Sequence, residues 1–459
     1  MDIKTRIETS PMRPVQYAVV AVCVLLNMLD GFDVLALAFS ASHISGEWEL
    51  SGSELGALLS AALIGMAVGS IVISQVADIV GRRRTIVVCA FVVAAGMALS
   101  AVATGFAMLL VVRVLTGLAI GTLQACLNVM VAEYSSARSR STAISVYTAG
   151  QPIGGTVGGI IAGVLLAQFD WRAVFLFGAG ATLVTALVAL AVLPESLDYL
   201  LTRRPAKALE RANAVLVRLG QPELDTLPPA PERARGSAGR WKELATGANP
   251  ITTLLLGFSF FVLMAGFYFA NSWTPKLVTS SGFTDADGVR AGVLFSAGGI
   301  AGALIFGPLA ARFGVRRTLT ALFAVAGAAF GLYAVSVESL NAAFATAALL
   351  GLATSAVMAG MFSIGPMYYG SSVRATAVGL IIGLGRVGAI LSPILAGALL
   401  DLDWAPRSIY FLFVLPMLAG AVAIYAMRTR RPVLAETRAE TAEPGPGPGA
   451  TVVAHRSAG

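Results

Sequence analysis

Twelve long apolar runs, parted by short charged clusters, constrain this chain more than any other feature. They fall at roughly 17–39, 53–76, 85–104, 107–133, 141–167, 172–192, 251–274, 290–311, 317–337, 342–368, 374–400 and 407–428. A bilayer crossing takes about 20 mostly apolar residues. Each run is long enough to cross as a helix and too long and too uniformly apolar for a barrel strand, and lipid offers the backbone no outside partner. Charged residues make up only 12% of the chain and apolar residues 57%, which excludes a soluble enzyme, a disulfide scaffold and a disordered protein. The expected fold class is an all-α polytopic membrane protein with twelve transmembrane helices.

The net charge of +7 would suggest nucleic acid in a soluble protein. Here the cations cluster between spans. With the N-terminus placed inside, the inner segments hold 26 of the 32 Lys and Arg. The outer segments hold four (Arg172, Lys276, Arg290, Arg407), and Arg113 and Arg386 lie within spans. The positive-inside bias therefore puts both termini in the cytoplasm. Cys23, Cys89 and Cys126 all fall inside apolar runs with no zinc-like spacing and read as reduced packing residues.

The longest loop splits the spans six and six. The expected organisation is a cytoplasmic leader at 1–16, a six-helix bundle at 17–192, a cytoplasmic loop at 193–250, a second six-helix bundle at 251–428 and a disordered tail at 429–459. The first part of the loop has the composition of one or two amphipathic surface helices. LPPAPERARGSAG reads as a flexible linker. The halves echo each other, with DIVGRRRT at 78–85 after the second span and ARFGVRRT at 311–318 after the eighth. A Gly followed by basic residues at matching positions suggests two pseudo-symmetric bundles related about an axis along the membrane normal.

Ionisable residues inside spans are expensive and mark function by default. Asp30 and Asp33 lie three apart in the first run, on one helix face. A carboxylate at mid-membrane costs about 2.5–3.5 kcal/mol on insertion scales. The pair therefore reads as a proton-binding site; the alternative is an ion pair that only stabilises the bundle. At 1.5 Å per residue, Arg113 and Asp33 both lie about 9 Å from the outer ends of their spans, so Arg113 is the expected ionic neighbour. Arg386 sits near the middle of span eleven among the small residues of GLGRVGA, with no acid in spans seven to twelve away from their edges. An anionic substrate would supply the missing charge, and a guanidinium grips a carboxylate bidentately. The alternative is a structural Arg held by helix carbonyls. Further candidates for substrate contact are Phe261, Tyr268 and Asn271 in span seven, whose aromatic faces would stack on a ring. Asn27, Gln124, Asn128, Tyr147, Gln151 and Tyr368 add polar positions on other spans. Helix–helix hydrogen bonding is the alternative for the polar ones. His43 falls in the first outer loop beside Glu47 and Glu49, where a solvated loop His is expected.

These residues carry a family resemblance. Two sets of six spans, a long central loop and the Gly-Arg-Arg turns resemble the major facilitator superfamily. Within it, Asp-Gly-Phe-Asp at 30–33, EYSSARSR at 133–140 and VRATAVGLIIGLGRVGAILSP at 373–393 are similar to the aromatic acid:proton symporter family. The resemblance covers roughly 15–430 and implies the major facilitator fold, import of a small aromatic carboxylate of the hydroxybenzoate or benzoate class with protons, and alternating access in a bacterial inner membrane. It implies that Asp30, Asp33 and Arg113 matter for proton coupling. It also implies that Asp78, Gly81, Arg82 and Arg83 form a cytoplasmic gating latch, which Glu133, Arg138 and Arg140 could complete. Ser74 and Ile79 depart from the usual gating motif. QPIGGTVGGIIAG at 151–163 looks like the superfamily's span-five motif, with close packing and a kink at Pro152. No enzyme activity, metal or cofactor is implied; the proton gradient would drive transport. The expected partners are the acid, protons and lipid, with no nucleic acid, and the protein is expected to be monomeric. A carrier of a non-aromatic organic acid such as a sugar acid, a drug/proton antiporter and a transport-dead receptor are the rival functions.

Overall fold

The computed structural model describes residues 6, 9–228, 250–369 and 374–427. It contains twelve helices long and apolar enough to cross a membrane. We label them α1 (Pro14–Glu47), α2 (Gly52–Val80), α3 (Arg82–Ala101), α4 (Phe106–Glu133), α5 (Arg140–Gln168), α6 (Arg172–Val192), α7 (Pro250–Ser280), α8 (Asp285–Phe313), α9 (Val315–Ser336), α10 (Leu340–Tyr368), α11 (Arg374–Asp401) and α12 (Pro406–Ala426). Among the described residues there is no strand. α2 contains a π-helical stretch at Gly69–Ile73, and α12 is interrupted at Phe413.

The helices outrun the apolar runs. α1 continues to Glu47, well past the expected end at 39, so His43 is helical and half-buried rather than a solvated loop residue. The hydropathy pattern stops where Ser42, His43 and Ser45 begin; the helix continues because these side chains find partners on the second half. The loop after α6 carries two short helices, Leu197–Arg203 and Ala208–Arg218, the second burying Ala208, Ala212, Val215 and Leu216. The linker from 229 onward and the tail after 427 lie outside the described residues.

The internal echo has a physical basis. Gly81 and Gly314 both adopt positive φ, 112° and 85°, which only glycine tolerates without strain. Each then starts the next helix, accepting from Thr85 N and Thr318 N respectively. Sheer proximity shapes the packing elsewhere: a Cβ at Gly154 of α5 would lie 1.8 Å from the carbonyl oxygen of Met28 in α1. Pro152 stays inside a continuous α5. The second half is filled by rings from α7, α9 and α12, with Phe269 stacked on Phe413 at 4.6 Å and Tyr410 against Tyr333 at 4.5 Å. Large apolar side chains such as Leu254, Leu304, Leu415 and Tyr425 point outward, as a lipid-facing wall requires.

The halves meet along α1–α7, α2–α11 and α5–α8. One end of the bundle carries the start of α1 and the central loop (the loop end); the other carries the α1–α2 and α7–α8 turns (the far end). Ser42 donates to Thr279 at 3.3 Å, Lys276 to Ser45 at 2.9 Å, and His43 lies 3.7 Å from Asp285. Gly52 and Ser53 bond to Asp401, and midway along the same seam Ser60 donates to the Ile390 carbonyl at 2.8 Å. Among the described residues, no hydrogen bond or ion pair joins the halves at the loop end. The far end is closed.

Candidate functional site

The charged residues within the spans lie on α1, α4 and α11. Arg113 of α4 grips Asp33 of α1 with two hydrogen bonds, 2.7 and 2.8 Å, and both side chains are buried. A third bond, 3.3 Å, runs to the Asp33 carbonyl. The sequence-based depth count thus brings these two together, and the fork geometry is that of a strong, mutually neutralising pair.

Asp30, one turn toward the loop end, is in a different situation. Its Oδ2 accepts a 2.5 Å bond from the Gln124 amide. Its Oδ1 is buried and has no hydrogen-bond partner, and no cation lies within ion-pair distance of the carboxylate among the described residues. It nevertheless lies within electrostatic reach of Arg386 and Arg113. Arg386, half-buried on α11, donates no hydrogen bond and makes no ion pair among the described residues. Its electrostatic neighbours are Asp30 and Tyr268 of α7. Spans seven to twelve hold no acid away from their edges, and the carboxylate near Arg386 belongs to the first half. Gln124 is half-buried and Asn128, one turn further along α4, is exposed. Along α4 exposure thus rises from Arg113 through Gln124 to Asn128, toward the loop end.

The remaining candidates divide. The Asn27 amide is committed to the Tyr147 carbonyl at 2.6 Å, and the Tyr147 hydroxyl reaches the Gln124 carbonyl at 3.4 Å, so these two brace α1, α4 and α5. Gln151 is half-buried with its backbone pressed against Gly31. Asn271 is buried three residues from Tyr268, with no protein partner among the described residues. Two candidates have other surroundings. Phe261 lines an apolar groove of about 190 Å³ between α7, α11 and α12, with no charged residue in its wall. Its ring packs there against Gly388 of α11. Tyr368 lies within electrostatic reach of Arg316, near the loop end, because it is the last residue of α10.

The loop-end cluster is assembled around Arg82. Arg82 pairs with Glu133 at 2.9 Å, Asp198 at 3.3 Å and Asp78 at 3.4 Å, and donates to Ser196. The Arg83 amide donates to Glu195, and its guanidinium to the Leu190 carbonyl. Gly81 supplies the turn. Arg140 donates to the Ala132 carbonyl, whereas Arg138 is exposed with no ion pair among the described residues, because the turn after α4 directs it outward. Sequence reasoning missed Glu195, Ser196 and Asp198. The signal was available: two acids and a hydroxyl directly after span six, at an otherwise basic end. Among the described residues no group of side chains could hold a metal.

Comparison with known proteins fits this arrangement. The Major Facilitator Superfamily model matches residues 20–305 and 288–457. The 4-hydroxybenzoate transporter PcaK of Pseudomonas aeruginosa is 30% identical over 427 residues, covering 92% of this chain and 95% of that protein. The gallate transporter of Pseudomonas putida is 30% identical over 441 residues, covering 93% and 95%. Among solved structures, a partially occluded inward open conformation of the xylose transporter XylE from E. coli superposes with a TM-score of 0.70 at 15% identity, covering 91% of this chain and 99% of that one. That likeness shows the fold alone. The chain is a transporter rather than an enzyme, and it belongs to the Major Facilitator Superfamily.

Proposed function

We propose that this chain is a proton-coupled symporter that imports a small aromatic carboxylate, of the hydroxybenzoate or benzoate class, across a bacterial inner membrane. One observation carries the coupling. Of the two span-one carboxylates, Asp33 is fully engaged by Arg113, while Asp30 keeps one buried oxygen unpartnered beside an Arg386 that has no protein partner among the described residues. A buried charge without a partner is costly, and a proton removes it. Asp30 is therefore the group that takes up the transported proton, and Asp33–Arg113 is the fixed pair beneath it.

The coupling follows from shared electrostatics. Ionised Asp30 competes with an incoming carboxylate for Arg386. With a proton on Asp30 Oδ1, Arg386 is free to grip the substrate carboxylate with its fork, and Tyr268 offers a ring face. Proton and acid thus bind as a set. The halves then rock so that the far end closes, as in the present arrangement, and the path opens at the loop end. There the acid leaves, and Asp30 returns its proton. No metal or cofactor enters the cycle. The path lies between the halves of one chain, so a single copy suffices.

The aromatic acid is supported by the relatives, named as transporters of 4-hydroxybenzoate and gallate. The cytoplasmic termini rest on the charge bias, 26 cations against four; the inward direction rests on the resemblance to the aromatic acid:proton symporters. The test is uptake of radiolabelled 4-hydroxybenzoate into proteoliposomes under an imposed inward proton gradient, with benzoate, gallate and gluconate as competitors. Accumulation blocked by the aromatic acids supports the proposal; competition by gluconate alone replaces the substrate with a sugar acid.

A further inference from the structure

At the far end, the first turn of α2 is capped twice. Its own cap is Ser51, whose hydroxyl accepts from the Glu54 amide at 3.2 Å while Glu54 accepts from the Ser51 amide at 2.9 Å. That leaves the amides of Gly52 and Ser53, which a helix cannot satisfy internally. Both are taken by Asp401, the last residue of α11, on the other half of the molecule. Gly52 N lies 2.6 Å from Oδ1, Ser53 N 2.8 Å from Oδ2, and the Ser53 hydroxyl 2.5 Å from Oδ2.

The placement of Asp401 is informative. A carboxylate at a helix C-terminus faces the negative end of its own dipole, where cations are favoured. At the N-terminus of α2 the same charge is favourable. Asp401 is thus mismatched with its own helix and matched only across the seam. The backbone is built for the approach: a Cβ at Gly52 would lie 2.4 Å from the Gly397 oxygen, and a Cβ at Gly397 would lie 2.0 Å from the Gly52 oxygen. Among the described residues, no other carboxylate bonds backbone amides across the two halves. The other far-end contacts, Ser42–Thr279, Lys276–Ser45 and His43–Asp285, are single side-chain pairs.

We propose that Asp401 is a positioning residue that sets the balance between the far-end-closed and far-end-open states, by capping α2 of the opposite half only when the far end is shut. When the halves part, two amides and a hydroxyl return to water and Asp401 is left at its own helix C-terminus. The proposal rests on the alternating-access reading above, though its test needs neither substrate nor proton gradient.

The test is the labelling rate of single introduced cysteines by a water-soluble maleimide, in protein reconstituted into nanodiscs. The native cysteines are buried, and the protein without an added cysteine gives the background. Val289→Cys reports the far end, since Val289 is buried against Gly163 across the seam. Asn128→Cys reports the exposed, loop-end side of the path. Asp401→Asn keeps the shape and removes the charge. It is expected to speed labelling at 289 about fivefold and to slow it at 128, as expected for loss of charge-assisted bonds at an exposed site. Ser53→Ala, which leaves both amides bonded, gives a smaller change in the same directions, and Asp401→Glu restores part of the balance. An unchanged rate at 289 in Asp401→Asn overturns the proposal. So does faster labelling at both positions, which would mark general loosening.

Discussion

Replacing Asp33 by Asn leaves Arg113 buried with no ion-pair partner among the described residues. Arg113 is 1% exposed and Asp33 0%, and the pair is joined by bonds of 2.7 and 2.8 Å. Breaking a buried pair by removing one partner costs about 3–5 kcal/mol, because the survivor has lost its water and gained nothing in return. The two single variants should differ. A lone carboxylate can discard its charge by taking a proton, whereas a guanidinium cannot. Asp33→Asn is therefore expected at the upper end of the range and Arg113→Gln at the lower. The double variant, with two neutral amides facing each other, is expected to recover more than half of the summed loss. Equilibrium unfolding of the purified protein in mixed micelles, carried out for the four members of the cycle, reads the coupling directly. Single losses below about 1 kcal/mol, or strict additivity in the double, would refute the claim that this pair is a fixed, mutually neutralising support.

Three further outcomes are expected. Arg386→Lys keeps the charge but loses the fork, so KM for the aromatic acid should rise about tenfold with kcat less affected, and Arg386→Gln should rise further; equal loss in kcat alone would place Arg386 outside the binding step. Gly154→Leu should abolish folded protein in detergent-solubilised gel filtration, since even a Cβ there would lie 1.8 Å from the Met28 oxygen. Arg82→Gln and Glu133→Gln should impair transport similarly, with a double variant no worse than either single, because the two share a 2.9 Å bond; additive losses would show that they act apart.

Much of the fold is legible in the sequence because lipid leaves the backbone few choices. Twelve apolar runs become twelve helices, and the Gly-Arg-Arg echo becomes two positive-φ turns. The Asp33–Arg113 pair is legible too, since depth along a helix of fixed rise is simple arithmetic. What is not legible is azimuth and partnership between distant helices. Phe261 and Tyr268 both read as ring-stacking candidates and, seven residues apart, share nearly one face of α7; they stand about two turns apart along its axis, so one lines an apolar groove against α11 and α12 and the other lies within electrostatic reach of Arg386. Asp401 and the Gly52 amide are 349 positions apart, and no hydropathy pattern joins them. The far end of α1 is illegible for a related reason: Ser42, His43 and Ser45 look like loop residues without their cross-half partners.

The claim that Asp30 links proton to acid is tested most directly by comparing Asp30→Asn with the parent in two proteoliposome assays, gradient-driven accumulation of radiolabelled 4-hydroxybenzoate and its exchange with internal unlabelled acid at equal pH. The variant should lose accumulation against a concentration gradient while keeping exchange, because the acid site at Arg386 remains and only the proton carrier is gone. Accumulation at the parent's level in Asp30→Asn would contradict that claim.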